Sequence, residues 1–183
     1  MNLFYSILSG LLIAILLMAV LSIVYVSWRN GISPMPSSAP VRQRAVGELK
    51  RFGDASVIVE AGSGWGTLAL QAARSDPRLK VIGIENSPLP LAVSRLAARW
   101  GGARNAVFRK GNLYEFPYEQ ADVVVCYLFP GAMKRLDPLF REKLALGACV
   151  ISICFALPGW RPERVITCRD MYRTKIYVYR KDE

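Results

Sequence analysis

The chain has 183 residues, 52% of them apolar and 21% charged, and its 24 Lys and Arg against 14 Asp and Glu give a formal net charge of +10. That length suits one domain of ordinary size, the apolar content excludes a disordered chain, and 14 Gly with 11 Pro exclude a collagen-like or low-complexity one. Histidine is absent, which removes Ser-His-Asp triads, Cys-His pairs, His-ligated zinc and His general bases. Cys126, Cys149, Cys154 and Cys168 form no C-x-x-C pair and sit in or beside apolar runs. They read as buried free thiols of a reducing compartment, with no metal site.

The first charged side chain is Arg29, and residues 3–26 before it are apolar on all sides, with no helical stripe. A bilayer core about 30 Å thick needs about 20 helical residues, so this segment is long enough to cross it with some tilt. About fifteen Leu, Ile, Val and Phe side chains favour insertion by several kcal/mol, and Tyr5, Tyr25 and Trp28 lie near the two ends, where amphipathic rings anchor. A cleaved signal would need a basic start, a shorter apolar core and a small-residue cleavage site. The start lacks Lys and Arg, and no such site precedes Arg29. Residues 1–28 are therefore expected to be a single-pass transmembrane anchor. Arg29, Arg42, Arg44, Lys50 and Arg51 all follow the span, which places the N-terminus outside and the remainder in the cytoplasm. The basic residues are scattered and accompany no recognisable nucleic-acid module, so nucleic acid is not the expected partner.

Residues 29–40, rich in Pro, Ser and Gly, read as a linker. Pro40 suits a first helical turn, with 41–52 as the body of the helix and Gly53 as its stop. Strands and helices then alternate: a strand from Ser56 into VIVE, a helix over 66–74, a strand over 80–84 and a helix over 88–100. In that last helix Leu91, Leu96 and Trp100 are expected inward, with Arg95 and Arg99 outward. A strand over 105–109 follows, then a near-continuous apolar strand over 122–129, a helix over 131–146 and a strand over 149–155. Segments 164–168 and 175–180 read as a closing antiparallel hairpin. Alternation of this kind predicts a doubly wound α/β fold, a parallel sheet covered on both faces, over residues 41–183.

VIVEAGSGWGTLALQAAR is the most informative stretch. A buried strand ends at Glu60, and Gly62, Gly64 and Gly66 precede a helix whose free N–H groups face a ligand. Pyrophosphate turns read G-x-G-x-x-G; here the third glycine comes one place early and a carboxylate precedes the turn. An acid there repels a pyrophosphate but suits a cationic amino-acid end such as that of S-adenosylmethionine (SAM), which carries an ammonium and a sulfonium. Glu85 closes the next strand, 19 positions beyond Gly66, where a carboxylate accepts ribose hydroxyls. Asn112, after the third strand, is placed for the adenine edge. Ser63 within the turn and Asn86 and Leu113 beside the two later strand ends complete the candidate cofactor set.

With E-x-G-x-G-x-G, an acid ending the second strand and a closing hairpin, residues 41–180 resemble the class I, seven-β-strand SAM-dependent methyltransferases. A closer resemblance is to small membrane-anchored protein-lysine methyltransferases, the group that modifies ATP synthase subunit c and the adenine nucleotide translocase. It rests on the apolar span, Pro36-Ser37, YLFPGAMKRL and FALPGW. This resemblance implies a Rossmann-like seven-stranded sheet, SAM as cofactor, Glu60, Gly62, Gly64, Glu85, Asn112 and Ser37 as its contacts, and lysine of a membrane-associated protein as acceptor. Trp65 stands where that group tends to carry Asp, and Asn112 where many relatives carry Asp. Tyr127-Leu128-Phe129-Pro130 replaces the N/D-P-P-Y signature of enzymes acting on nucleobases or glutamine.

Methyl transfer from a sulfonium needs alignment rather than a covalent intermediate or a metal, so the lack of histidine is no obstacle. A lysine acceptor must lose its proton, and an apolar, aromatic-lined pocket lowers its pKa. Tyr127, Phe129, Phe155 and Trp160, at or beyond the ends of the fourth and fifth strands, are the expected wall. Within it, Tyr127 is assigned an orienting hydrogen bond and Trp160 a packing or cation–π role. Glu115, Glu119 and Asp137 read as solvated charges. A lipid headgroup or quinone acceptor, a non-catalytic SAM-binding module and a nicotinamide-dependent oxidoreductase are the competing readings.

Overall fold

A computed structural model describes residues 2–31, 35–52 and 57–182. Ser56 as a strand start, Gly53 as a helix stop and linker positions 32–34 lie outside the described residues.

The chain divides into two compact units, Met1–Pro34 and Met35–Glu183. The first is one helix, α1 (Asn2–Asn30), free of proline and rich in Leu and Ile. Its apolar side chains are exposed on all sides over residues 3–18, and Ala19, Ile23 and Val26 are half-buried. Leu3–Trp28 has a mean hydropathy of 2.9 and is long and apolar enough to cross a membrane.

In the second unit, α2 (Ala39–Leu49) begins with proline in its first turn and tightens into a 3₁₀ turn at Lys50–Phe52. The chain then runs β1 (Val57–Ala61), α3 (Thr67–Ser75), β2 (Lys80–Glu85), α4 (Pro88–Trp100), β3 (Ala106–Lys110), β4 (Val123–Cys126), α5 (Pro130–Lys143), β5 (Cys149–Ile153), β6 (Arg164–Thr167) and β7 (Lys175–Arg180). These form one seven-stranded sheet in the order β3-β2-β1-β4-β5-β7-β6. β1 to β5 are mutually parallel, and β7 pairs antiparallel with both β5 and β6. The doubly wound sheet with a terminal hairpin is the architecture the alternation predicts.

Apolar side chains of the strands alternate between two cores. Ile58, Val81, Val123, Val125 and Ile151 pack under α2, α3 and α4, whereas Val59, Ile82, Val124 and Val150 pack under α5 and the 113–121 segment. Burying both faces requires strands that are apolar throughout. β4 supplies this with four buried residues in a row.

Two local expectations are corrected. The apolar run over 122–129 leaves the sheet after Cys126, because α5 begins at Pro130 and Tyr127 to Phe129 form the turn between them. In α4, Leu91 is buried but Leu96 is 43% and Trp100 79% exposed. A step of five residues turns about 140° around a helix, so Leu96 leaves the face that Leu91 shares with Ser94 and the half-buried Ala97 and Ala98.

Lys181 is buried and donates through Nζ to the carbonyl oxygens of Arg141 and of Leu144, the latter at 2.9 Å. It thereby caps the C-terminal turn of α5, where a cation is favoured.

Candidate active site

The strand order reverses between β1 and β4, which opens a crevice at the carboxyl edge of the sheet. β1 ends there at Ala61, β2 at Glu85, β4 at Cys126 and β5 at Ile153. Because β7 runs the opposite way, with Ile153 opposite Ile176, the β6–β7 turn projects from the same edge.

The glycine turn follows β1 directly. Gly62, Gly64 and Gly66 have φ of +73°, +51° and +73°, a left-handed conformation that side chains with a Cβ resist. The turn is pinned by Ser63 N–H donating to the Ile84 carbonyl at 2.9 Å and Gly66 N–H donating to the Ser63 carbonyl at 2.8 Å. The three glycines are not equivalent. A Cβ on Gly66 would lie 2.6 Å from the Phe108 ring and 2.7 Å from Ser94 Cβ, so Gly66 makes room for core packing. A Cβ on Gly62 would lie 2.7 Å from Leu128 Cδ2 and 3.7 Å from Leu113 Cδ2. Leu128 therefore lies against the turn, a neighbour that sequence reading missed because its strand was extended through 129.

Both acids converge on this turn. Glu60 is buried, and its Oε2 accepts the Ala69 N–H of α3 at 3.0 Å. Burial pushes its carboxyl from about 4.5 up to about 8; the Ala69 N–H opposes the shift and the Glu85 charge adds to it. Glu85, also buried, accepts the Gly64 N–H at 2.6 Å through one oxygen and the Ser87 N–H at 2.7 Å through the other. A carboxylate oxygen accepts more than one bond, so the clasp leaves Glu85 acceptor capacity. Ser63 Oγ is buried and has no hydrogen-bond partner among the described residues, a cost that a bound polar group would relieve.

Asn112 is exposed; its Nδ2 donates to Glu115 Oε1 at 2.7 Å and its Oδ1 accepts the Tyr114 N–H at 3.1 Å, so both ends serve a local turn. Glu115, expected to be solvated, thus holds that asparagine. Asn86 is exposed and accepts the Ser87 hydroxyl at 3.3 Å. Ser37 is buried at the start of α2, where its carbonyl accepts from Arg42, whose Nε reaches Gln71 Oε1 of α3 at 3.2 Å.

The aromatic candidates are divided between the two faces of the sheet. Tyr127 packs with Cys154 against the core under α2 and α3, and burial lifts its phenol above the usual tyrosine value, with Cys154 and Asp170 adding to the shift. Phe129 and Trp160 pack on the α5 side. Trp160 donates from Nε1 to Asp137 Oδ1 at 2.7 Å, meets the Tyr179 ring edge-on at 6.1 Å and lies under the Arg141 guanidinium at 5.2 Å. Arg141 also bonds Asp137 at 2.7 Å. Asp137, expected to be a solvated charge, instead ties the 157–160 loop to α5. Phe155 is 37% exposed, and Cys154 beside it holds φ of +75°, uncommon for a residue with a Cβ.

Residues 60–164, more than half of the chain, match the family described as ANTKMT methyltransferase domain. The protein-lysine N-methyltransferase of Saccharolobus islandicus (strain REY15A) is 27% identical over 149 residues, 79% of this chain and 91% of that protein. The adenine nucleotide translocase lysine N-methyltransferase of Mus musculus is 29% identical over 110 residues, 60% of this chain and 48% of that protein. An RNA methyltransferase of Salinibacter ruber, solved with S-adenosyl-L-homocysteine, superposes with a TM-score of 0.74 at 31% identity, covering 81% of this chain and 95% of that one. The matched family span begins at Glu60, the acid that opens the glycine turn, and on that footing the chain belongs to the ANTKMT methyltransferase domain family and is a SAM-dependent methyltransferase.

Proposed function

We propose that the chain methylates the ε-amine of a lysine in a membrane-associated protein. In this reading residues 1–28 are a single-pass anchor with the N-terminus outside, 29–40 a linker and 41–183 the catalytic domain on the cytoplasmic side. The observation that carries it is the acid-flanked glycine turn at the switch point of the sheet, within a chain similar to lysine methyltransferases. The anchor rests on the length and apolarity of Leu3–Trp28, and its orientation on the basic residues that follow it.

The notch fits the cofactor by its chemistry. Two buried carboxyls suit a cationic ligand, the orphaned Ser63 hydroxyl needs a polar partner, and the left-handed glycines bring backbone close without side chains in the way. Glu60, Gly62, Ser63 and Gly64 would hold the amino-acid end, Glu85 and Asn86 the ribose, and Asn112 and Leu113 the adenine, with Ser37 on the flank. Gly66 contributes to the set by letting Phe108 pack. When bound, the cofactor supplies an electrophilic methyl on a sulfonium, and the acceptor supplies the electron pair. What the chain must do is exclude water, favour the neutral amine in an apolar pocket so that the lysine proton is left to solvent on entry, and align the amine. Tyr127 and the exposed Phe155 stand at the strand ends where an amine would enter, and Tyr127 would orient it. Phe129 and Trp160 would shape the far wall, Trp160 through its bond to Asp137.

A second reading, RNA as acceptor, is favoured by the likeness to a solved RNA methyltransferase and by the net charge of +10. The deciding experiment incubates full-length protein and tritiated SAM with membranes and RNA from cells lacking this chain. Label on a lysine of a membrane protein, located by mass spectrometry, is expected. Label confined to RNA or to lipid overturns the lysine assignment.

A further inference from the structure

We infer that the turn between β6 and β7 is a bilayer-contacting element that presents the carboxyl edge of the sheet to an anionic lipid surface. This inference rests on the reading of Leu3–Trp28 as a membrane span and adds which edge of the catalytic unit meets the lipid.

The turn joins bare apolar side chains to a ring of cations. Met171 and Tyr172 are 84% and 81% exposed at its tip, and Arg169, Arg173 and Lys175 flank them, all exposed. Its one acid, Asp170, is engaged internally, accepting the Thr174 N–H at 2.7 Å and the Thr174 hydroxyl at 2.6 Å. The tip therefore offers two bare apolar side chains inside a ring of cations, with the one anion turned to the turn's own backbone. Burying the apolar pair in the headgroup boundary while the cations meet lipid phosphates satisfies both halves of this pattern. A purely acidic surface would leave Met171 and Tyr172 exposed.

The chain enters the domain at the same edge. Val41 and Ala45, on the earlier turns of α2, share a core with Cys168 at the base of the turn, whereas Glu48, near the helix end, bonds Arg164 Nη2 at 2.6 Å. Arg164 lies opposite Val178, deeper in the sheet, and Thr167 lies opposite Lys175 at the carboxyl edge. α2 thus starts at the carboxyl edge and runs away from it. Only eight residues, 31–38, separate the end of α1 from the start of α2. Their fully extended reach is about 29 Å. A tether of that reach entering at the carboxyl edge, and a cation-ringed apolar tip on that edge, point toward the same surface. A lysine emerging at the membrane surface would then face the strand ends directly.

The test uses full-length protein in nanodiscs of phosphatidylcholine alone or with roughly a third phosphatidylserine, read by millisecond hydrogen exchange. Exchange over residues 169–174 is expected to slow about tenfold in the anionic discs, and Arg169→Glu with Arg173→Glu is expected to abolish the slowing while SAM affinity stays unchanged. Equal exchange in both discs, with Leu3–Trp28 still protected, overturns the tip assignment and leaves the anchor standing. Unprotected Leu3–Trp28 amides overturn the anchor, and the tip assignment falls with it. Protection that persists in detergent and rises with protein concentration marks contact between two copies and likewise overturns it.

Discussion

The two halves of the carboxyl edge are built by different means. On the β1–β2 side the turn is held through its backbone N–H groups: the Glu85 carboxylate clasps those of Gly64 and Ser87, Ser63 N–H bonds the Ile84 carbonyl, and three glycines in series hold left-handed conformations. On the β4–β5 side the shape comes from side chains. Trp160 is held by Asp137, Tyr179 and Arg141, and Tyr127 lies on the opposite face of the sheet from Phe129. A backbone-built notch tolerates little change, because its geometry is fixed by φ and by N–H direction. A wall of side chains shifts by rotamer and lets acceptor specificity vary while cofactor binding is kept.

The largest effect is expected on the first half. Gly64→Val places a β-branched residue at φ of +51°, and SAM binding should fall beyond detection by calorimetry, about a hundredfold or more. Circular dichroism should show the sheet intact; retained affinity would remove the turn from the cofactor site.

A smaller effect comes from Glu60, whose carboxyl sits at about 8 in the folded chain. A cationic ligand favours its ionised form, so SAM affinity should rise by up to about tenfold per pH unit from 6 toward about 8, then level off, with proton release on binding. Stability of the free protein runs the other way. The folded pKa lies above the unfolded one, so stability is greatest below about 4.5 and declines as pH rises through about 8. Glu60→Gln should flatten both profiles, and a pH slope that survives the substitution would move the titration elsewhere.

The second half should respond least. Asp137→Ala unties Trp160 and Arg141 and should lower Tm by a few degrees, for about 1–2 kcal/mol. Cofactor affinity should stay unchanged and kcat should fall by less than about tenfold. A loss of SAM binding in this variant would erase the distinction between the two halves.

The same division governs what could be read in advance. α1 was legible as one long apolar helix because residues 1–28 carry no charged side chain and no proline to break or polarise it. β1, β2, β4 and β5 were legible because strands buried on both faces are largely apolar, and the glycine turn because positive φ is so dear to other residues. Asp137 was misread because its partners lie 4 and 23 residues further along the chain. Leu96 was misread because apolarity alone does not report which side of a helix is covered.

What the amino acids determined by themselves is therefore local: the long apolar helix, the order of strands and helices, and the acid-flanked turn, each set by hydrophobic patterning or backbone stereochemistry within a few residues. The tertiary structure alone decided the rest. It put Tyr127 and Phe129 on opposite faces, spent Gly66 on Phe108, clasped Glu85 to Gly64, and tied β6 to α2 through Arg164 and Glu48. Each of these depends on strand pairing between distant segments, and pairing is selected by the packing of the whole sheet rather than by any one segment of it.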